Sequence, residues 1–360
     1  MPTFAGHFTT ARRHPAQPLQ PVADPAGWQP AAIAATEDWA YRLTPRDIGE
    51  ITAAIERAER RGIEILDMTR ADFPLPTLAA LLLDVRQELL EGRGFVYLRG
   101  LPVAELGLAR TAIAYFGLGL HLGAPVPQNS AGHLLGHVRD FGVKYDDPGR
   151  RGYQSAAALG FHCDHADYVG LLCLRTAKSG GASRVASAVT LYNRMLAERP
   201  DLVAELLGTF YWTRHGETPP GKPPWYTQPV FSFERGYFSA RGVSSYIRKA
   251  QGLPGVPPFT PAQEEAMALY RKLVEECAVD LDFREGDIQF LHNHVMLHSR
   301  RAYEDFAEEE KKRHLLRLWL KDDRGGRPLP ADVAENFCGV TIAGQVLTVP
   351  VEPVEVVETA

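Results

Sequence analysis

The sequence has few cysteines, no long apolar run and no excess of positive charge, and each shortage removes a class of function. Four cysteines in 360 residues, at 163, 173, 277 and 338, show no Cys-x-x-Cys spacing for zinc and no density suggesting a disulfide framework. A reducing cytoplasm is the expected compartment. The longest glycine-free apolar stretch, Leu78 to Leu83, is far too short to cross a bilayer, and no basic segment followed by an apolar one opens the chain. Lys plus Arg number 39 against 44 Asp plus Glu, a net charge of −5, so no broad positive field exists to hold a polyphosphate backbone. Neither nucleic acid nor a membrane is the expected partner. There is also no internal repeat of solenoid period and no low-complexity linker that would cut the chain in two.

What is present is an ordinary globular composition, 45% hydrophobic and 23% charged, with enough apolar residues for a sizeable core. Residues 1–43 are rich in Pro and Ala, and Pro2, Pro15, Pro18, Pro21, Pro25 and Pro30 prevent any long regular element there. This leader is expected to be irregular, and residues 44–360 to form one domain. Thr44-Pro45-Arg46-Asp47 supplies an N-cap hydroxyl, a proline at the first helical position and an acid in the first turn, predicting a helix from Pro45 to about Arg61. Further helices are predicted over Thr77 to Glu91, Leu108 to Leu118 and, behind the capping signal at Thr260, to about Cys277. The rest reads as short strands bounded by Gly and Pro: Phe95 to Leu98, Leu134 to Val138, Val169 to Arg175, Ser183 to Val189, Val230 to Glu234, Ile288 to Leu291, Leu315 to Lys321 and Val340 to Val349. Helices leading into many short strands argue for a mainly β fold, a sandwich or jelly roll with helices packed outside.

The chemistry concentrates in two places. Gly160-Phe161-His162-Cys163-Asp164 sets an imidazole and a carboxylate two residues apart, which at strand spacing face the same side. Alone, His-x-Asp is more often a hydrogen-bonded surface pair. The segment Asp287 to Arg300 then offers His292, His294 and His298 as third ligand; His292 and His294 share one face if the strand continues through them, and His298 ends the run. Two histidines and one carboxylate with open positions form the facial triad that suits non-haem Fe(II). Cys163, between the first two candidates, is expected to be a packed small side chain rather than a nucleophile. Fifteen residues after His298, Arg313-His314-Leu315-Leu316-Arg317 places two arginines of the same parity in an apolar stretch. A guanidinium inside a protein needs an anion, either an internal Asp or Glu or the distal carboxylate of a dicarboxylic acid cosubstrate clamped by Arg313.

From about Gly94 to Leu320 the chain resembles the taurine dioxygenase-like family of Fe(II)- and 2-oxoglutarate-dependent oxygenases. The resemblance rests on Phe161-His162-Cys163-Asp164, Val169 to Arg175, Gly180-Gly181-Ala182-Ser183, Asn293 to Arg300 and Arg313 to Arg317, in that order. It implies a distorted jelly roll, the double-stranded β-helix. It implies iron held by His162, Asp164 and His298, with His292 and His294 as bystanders, and Fe(II), 2-oxoglutarate and O2 as cofactor and cosubstrates. It implies Arg313 and Ser183 on 2-oxoglutarate and Arg317 on an anionic group of the substrate. The expected activity is oxidation of a C–H bond, by default hydroxylation, of a small polar or anionic molecule, with release of succinate and CO2. Gln128, Asn129, Tyr153, Gln154, His165, Tyr168 and Arg300 are polar or amphipathic residues near these motifs and are candidates to line the substrate site. The proline-rich stretch Thr213 to Gln228 reads as a long irregular loop placed to cover it. The rival readings are a zinc hydrolase on the same ligands and a non-catalytic jelly-roll binding protein; a small molecule is the expected partner, with a homo-oligomer left open.

Overall fold

A computed structural model describes residues 12–144, 151–219 and 221–357. Its centre is a seven-stranded sheet in the order Ala40–Arg42, Phe95–Arg99, Ile288–His292, Tyr168–Arg175, His314–Lys321, with Ala124–Pro125 and Leu135–Val138 both paired to the far side of His314–Lys321. A four-stranded antiparallel sheet, Ala278–Leu281, Ser183–Ser187, Met296–Arg300, Leu159–His162, faces it. Two such sheets enclosing one interior are the jelly roll expected from the strand pattern.

Alternation sorts the main sheet's side chains. In His314–Lys321, Leu316, Leu318 and Leu320 join Leu82, Val85, Tyr115 and Phe116 of the helices Leu78–Glu91 and Val103–Leu120 in one core. Leu315, Arg317 and Trp319, of opposite parity, point to the other side and line a cavity. The helix Val103–Leu120 is long and apolar enough to cross a membrane, yet it lies in this core against the sheet. It is broken at Gly107, whose φ of 68° is left-handed, so its regular part begins at Leu108 as expected. Close approach explains its glycines: a Cβ on Gly117 would sit 2.4 Å from the Phe73 ring.

The helices Pro45–Arg60 and Pro261–Glu276 begin where their capping signals place them, each with a reciprocal capping box, Thr44 with Asp47 and Thr260 with Gln263. Several elements differ from expectation. Ser183 to Val189 is a strand only to Ser187, whose hydroxyl caps a helix, Ala188–Glu198, by accepting the Thr190 N–H. Val340 to Val349 forms no strand; it makes a single bridge, His133 to Thr348. The leader contributes a short helix, Pro30–Ala34, and the strand Ala40–Arg42, and it buries Trp28 and Trp39 in the main core.

Candidate active site

His162 is the last residue of its strand, and Asp164 lies beyond it in a turn. The two side chains therefore converge because the chain turns, not because a strand continues through them. The turn is pinned from behind: Asn293 accepts the Asp164 N–H and donates to the Ala166 carbonyl, and Arg241 donates to the Cys163 carbonyl at 2.9 Å. His298 comes from Met296–Arg300, directly opposite His162 in the antiparallel ladder, and the two imidazole centroids are 4.2 Å apart. The His162 Nε2 is 4.0 Å from one Asp164 oxygen and the His298 Nε2 is 3.8 Å from the other.

Donor atoms of these three residues lie within 4.8 Å of one another. His162 donates its Nδ1–H to the Gly160 carbonyl at 2.9 Å, which fixes the tautomer and turns the Nε2 lone pair toward Asp164. Burial pushes the His298 imidazole down to about 3 and lowers His162 as well, so both are neutral. Burial alone would raise the Asp164 carboxyl, but the Arg317 guanidinium 3.5 Å away, the neighbouring imidazoles and the Trp319 indole N–H hold it below the ordinary carboxylate range. Two neutral imidazoles and an ionised carboxylate are the protonation states that metal ligation requires. The donor set, two imidazoles and one carboxylate lining the cavity, fits a divalent iron.

The strand Ile288–His292 ends at His292, so the three histidines of this region separate. His294 bonds Asp167 at 2.7 Å and His292 packs between Tyr168 and His294, both buried away from the cavity. Burial pushes the Cys163 thiol up to about 12, and its sulfur packs against the Met296 carbonyl. It is not a nucleophile.

The cavity encloses about 480 Å³, within the range of small-molecule sites. His162, Asp164, His298, Ser183, Arg300, Arg313, Arg317, Tyr153 and His165 line it. Arg317 is immobilised: Nε donates to Gln128 Oε1 at 2.7 Å, and its guanidinium lies 4.7 Å from the ring centroids of both Tyr153 and Trp319. Arg313 has no carboxylate within ion-pair distance among the described residues, and its Nη1 is buried without a partner. Burial lowers its pKa, and burial together with the Arg313 charge brings Arg300 down to about 10. Ser183 directs its hydroxyl to Gln289 Oε1 at 3.1 Å.

Four expected lining residues, Gln128, Asn129, Gln154 and Tyr168, are elsewhere. Asn129 is buried outside the cavity and accepts the His133 N–H within its own loop. Gln154 is also buried, its amide spent on the Arg151 N–H and the Val356 carbonyl. Tyr168 points to the far face and donates to Asp322. Gln128 acts one step back, holding Arg317 and donating to the Arg317 and Leu134 carbonyls. The stretch Thr213 to Gln228 is not one loop: Trp225–Gln228 pairs with Phe210–Thr213 as a hairpin. Pro220 in its tip lies outside the described residues. Sequence reading missed Arg151, His215, Arg241 and Tyr246, which also line the cavity. They come from separate segments with no shared spacing, so no local pattern marks them.

Residues 61–319 match the family model described as Taurine catabolism dioxygenase TauD, TfdA family. The chain is 32% identical over 335 residues to FR-33289 synthase of Streptomyces rubellomurinus, covering 91% of this chain and 97% of that protein. It is 28% identical to the taurine hydroxylase-like protein SAT17 of Stachybotrys chartarum, over 87% and 83% of the two chains. Among solved structures, asparagine oxygenase in complex with Fe(II), 2S,3S-3-hydroxyasparagine and succinate superposes with a TM-score of 0.62 at 21% identity, covering 82% and 98%. The non-haem iron oxygenase OrfP in complex with Fe and alpha-ketoglutaric acid does so with a TM-score of 0.58 at 18% identity, covering 83% and 100%.

Proposed function

The chain belongs to the TauD/TfdA family and is an Fe(II)- and 2-oxoglutarate-dependent dioxygenase; from that premise we propose that His162, Asp164 and His298 hold its iron and that it hydroxylates a small anionic molecule. The observation that carries the ligand assignment is the convergence of two neutral Nε2 atoms on an ionised carboxylate at one wall of a cavity.

Bound iron and 2-oxoglutarate supply the oxidising power, activating O2 as the keto acid is converted to succinate and CO2. The protein's own residues hold, orient and exclude. Gly160 fixes the His162 tautomer, and Trp319 and Arg317 keep Asp164 ionised. Arg313 presents a planar, charged fork in a buried position and receives the distal carboxylate of 2-oxoglutarate, because no acid among the described residues forms an ion pair with it. For Ser183 to donate to the same carboxylate, its hydroxyl must turn from Gln289, which can rotate its amide to donate instead.

Arg317, held between two aromatic rings beside Asp164, would receive the anionic group of the substrate and so orient it beside the three ligand candidates. Tyr153 and His165 complete that wall. Val138, Phe161 and Leu315 add apolar surface to the cavity wall. Four free thiols, three of them buried, suit a reducing compartment, and we assign the enzyme to the cytoplasm.

The test is a screen of small carboxylates, sulfonates and other anions read as succinate formed from 2-oxoglutarate. Stimulation by an anion, dependent on both added Fe(II) and O2 and accompanied by a product heavier by one oxygen, supports the reading. Stimulation by cationic or uncharged compounds alone would overturn the assignment of an anionic substrate.

A further inference from the structure

We propose that Arg300 is a second binding residue for the distal carboxylate of 2-oxoglutarate, acting together with Arg313. The inference rests on the reading above that this carboxylate lies at Arg313.

Placement comes first. Arg300 is two residues after His298 on one strand, so the two side chains share a face. Its ladder partner across the sheet is Ser183, the residue already assigned to the cosubstrate. Arg300 and Arg313 also meet at one ring: their guanidinium carbons lie 4.7 and 5.1 Å from the centroid of Tyr303.

Hydrogen bonding comes next. Arg300 Nη2 donates to the carbonyls of Ser155 and Ala157, which anchors the side chain. Its Nε and Nη1 are buried with no partner, as is Nη1 of Arg313. Both residues are more than nine-tenths buried, at 6% and 5% exposure. Among the described residues neither forms an ion pair. Asp305 is the acid whose charge acts on both; one of its oxygens accepts the Arg313 backbone N–H at 2.7 Å and the other is buried without a hydrogen-bond partner.

Two buried guanidinium groups beside one ring, with unpaired N–H donors and no ion-paired carboxylate among the described residues, are costly unless an anion arrives. A carboxylate has two oxygens and about four lone-pair sites, so it can accept from both arginines at once. A substrate anion is already served by Arg317 nearer the ligands, whereas Arg300 lies with Ser183 and Arg313. The structure therefore assigns Arg300 to the cosubstrate rather than to the substrate wall where its sequence position had placed it.

The experiment uses the full chain loaded with Mn(II), without turnover, and measures binding by calorimetry. The probes are 2-oxoglutarate and 2-oxobutyrate, which shares the chelating keto acid end and lacks the distal carboxylate. Arg300→Ala should weaken 2-oxoglutarate by at least about tenfold and leave 2-oxobutyrate within about twofold. Arg300→Lys, which keeps a charge and folds if the alanine variant does not, should fall between. Equal loss for both ligands would mean that Arg300 only positions residues 155–157, and no loss for either would mean that it touches nothing; both overturn the proposal. Arg313→Ala is the control. If it weakens 2-oxoglutarate selectively while Arg300→Ala does not, the reading of the carboxylate site survives and the role of Arg300 fails. If Arg313→Ala also leaves the ratio unchanged, the carboxylate site itself is misassigned.

Discussion

Trp319 donates its indole N–H to Asp164 at 2.8 Å, joining the main sheet to the turn that carries the carboxylate. The bond fixes which Asp164 oxygen faces the indole and helps keep the group ionised. Trp319→Phe preserves the ring against which Arg317 and His165 pack but removes the donor. Supporting hydrogen bonds of this kind are worth roughly 10- to 100-fold in metal affinity. Titration of the variant with Fe(II) under anaerobic conditions should show a loss in that range with the fold intact; unchanged affinity would deny the bond its role.

The three ligand candidates and the two bystanders should separate cleanly. His162→Ala, Asp164→Ala and His298→Ala should each abolish metal binding and turnover while leaving the circular dichroism spectrum unchanged. His294→Ala should retain metal and instead lose stability, because it leaves Asp167 without its 2.7 Å imidazole partner. A cost of about 2 kcal/mol in urea unfolding is expected. Loss of iron from His294→Ala with retention in His298→Ala would exchange their roles.

Arg317→Ala should raise the KM of the anionic substrate by roughly a hundredfold, as expected when a desolvated charge pair is broken. Uncoupled conversion of 2-oxoglutarate should persist, since Arg313 is untouched. If Arg317→Ala weakens 2-oxoglutarate and Arg313→Ala does not, the two arginines have been assigned the wrong way round.

Alternation was enough to put Arg313 and Arg317 on one side of their segment, and both line the cavity. The pairing of His162 with Asp164 was legible as spacing, although a turn rather than a strand produces it. Proximity in sequence misled at Gln154: it is one residue from Tyr153, which lines the cavity, yet its amide turns away to a carbonyl 202 residues distant. Nothing local announces such a partner. The same holds for Arg241, delivered to the Cys163 carbonyl from 78 residues away. Val340 to Val349 has the composition of a strand but pairs only through the bridge of Thr348 to His133, and composition alone cannot supply a pairing partner.

The main sheet should be intolerant of bulk at Gly170. A Cβ there would lie 2.5 Å from the Tyr115 hydroxyl and 2.8 Å from the Phe290 ring, where both side chains are fully buried. Overpacking of this kind costs about 1–3 kcal/mol, so Gly170→Ala should lower the urea midpoint without altering the slope. The same substitution at Gly160, whose Cβ would meet nothing within 4 Å, should leave stability nearly unchanged. Equal effects at the two positions would show that the contact is not the cause.

Acid should unfold this protein through its histidines. His121, His133, His137, His165, His292, His294 and His314 are all held below the ordinary imidazole range, chiefly by burial, in addition to the two ligand candidates. His137 and His314, pushed down to about 4 and about 2, show why. His137 donates to the Pro350 carbonyl at 3.0 Å, so its other nitrogen accepts from His314 at 2.8 Å, and a second proton would break the pair. The folded pKa lies below the unfolded value of about 6.5, so below that pH the unfolded chain binds more protons. The stabilisation from neutral imidazoles is complete above about pH 6.5 and is lost as pH falls toward the folded values. His137, with a folded value of about 4, contributes about 1.4 kcal/mol per pH unit between that value and about 6.5, and the other depressed imidazoles act in the same direction. Stability is therefore expected to fall as pH drops from about 6.5 toward about 4. In urea titrations across that window, His137→Gln should reduce the slope of stability against pH by about one proton's worth, about 1.4 kcal/mol per unit. An unchanged slope would show that the His137–His314 pair does not carry its share.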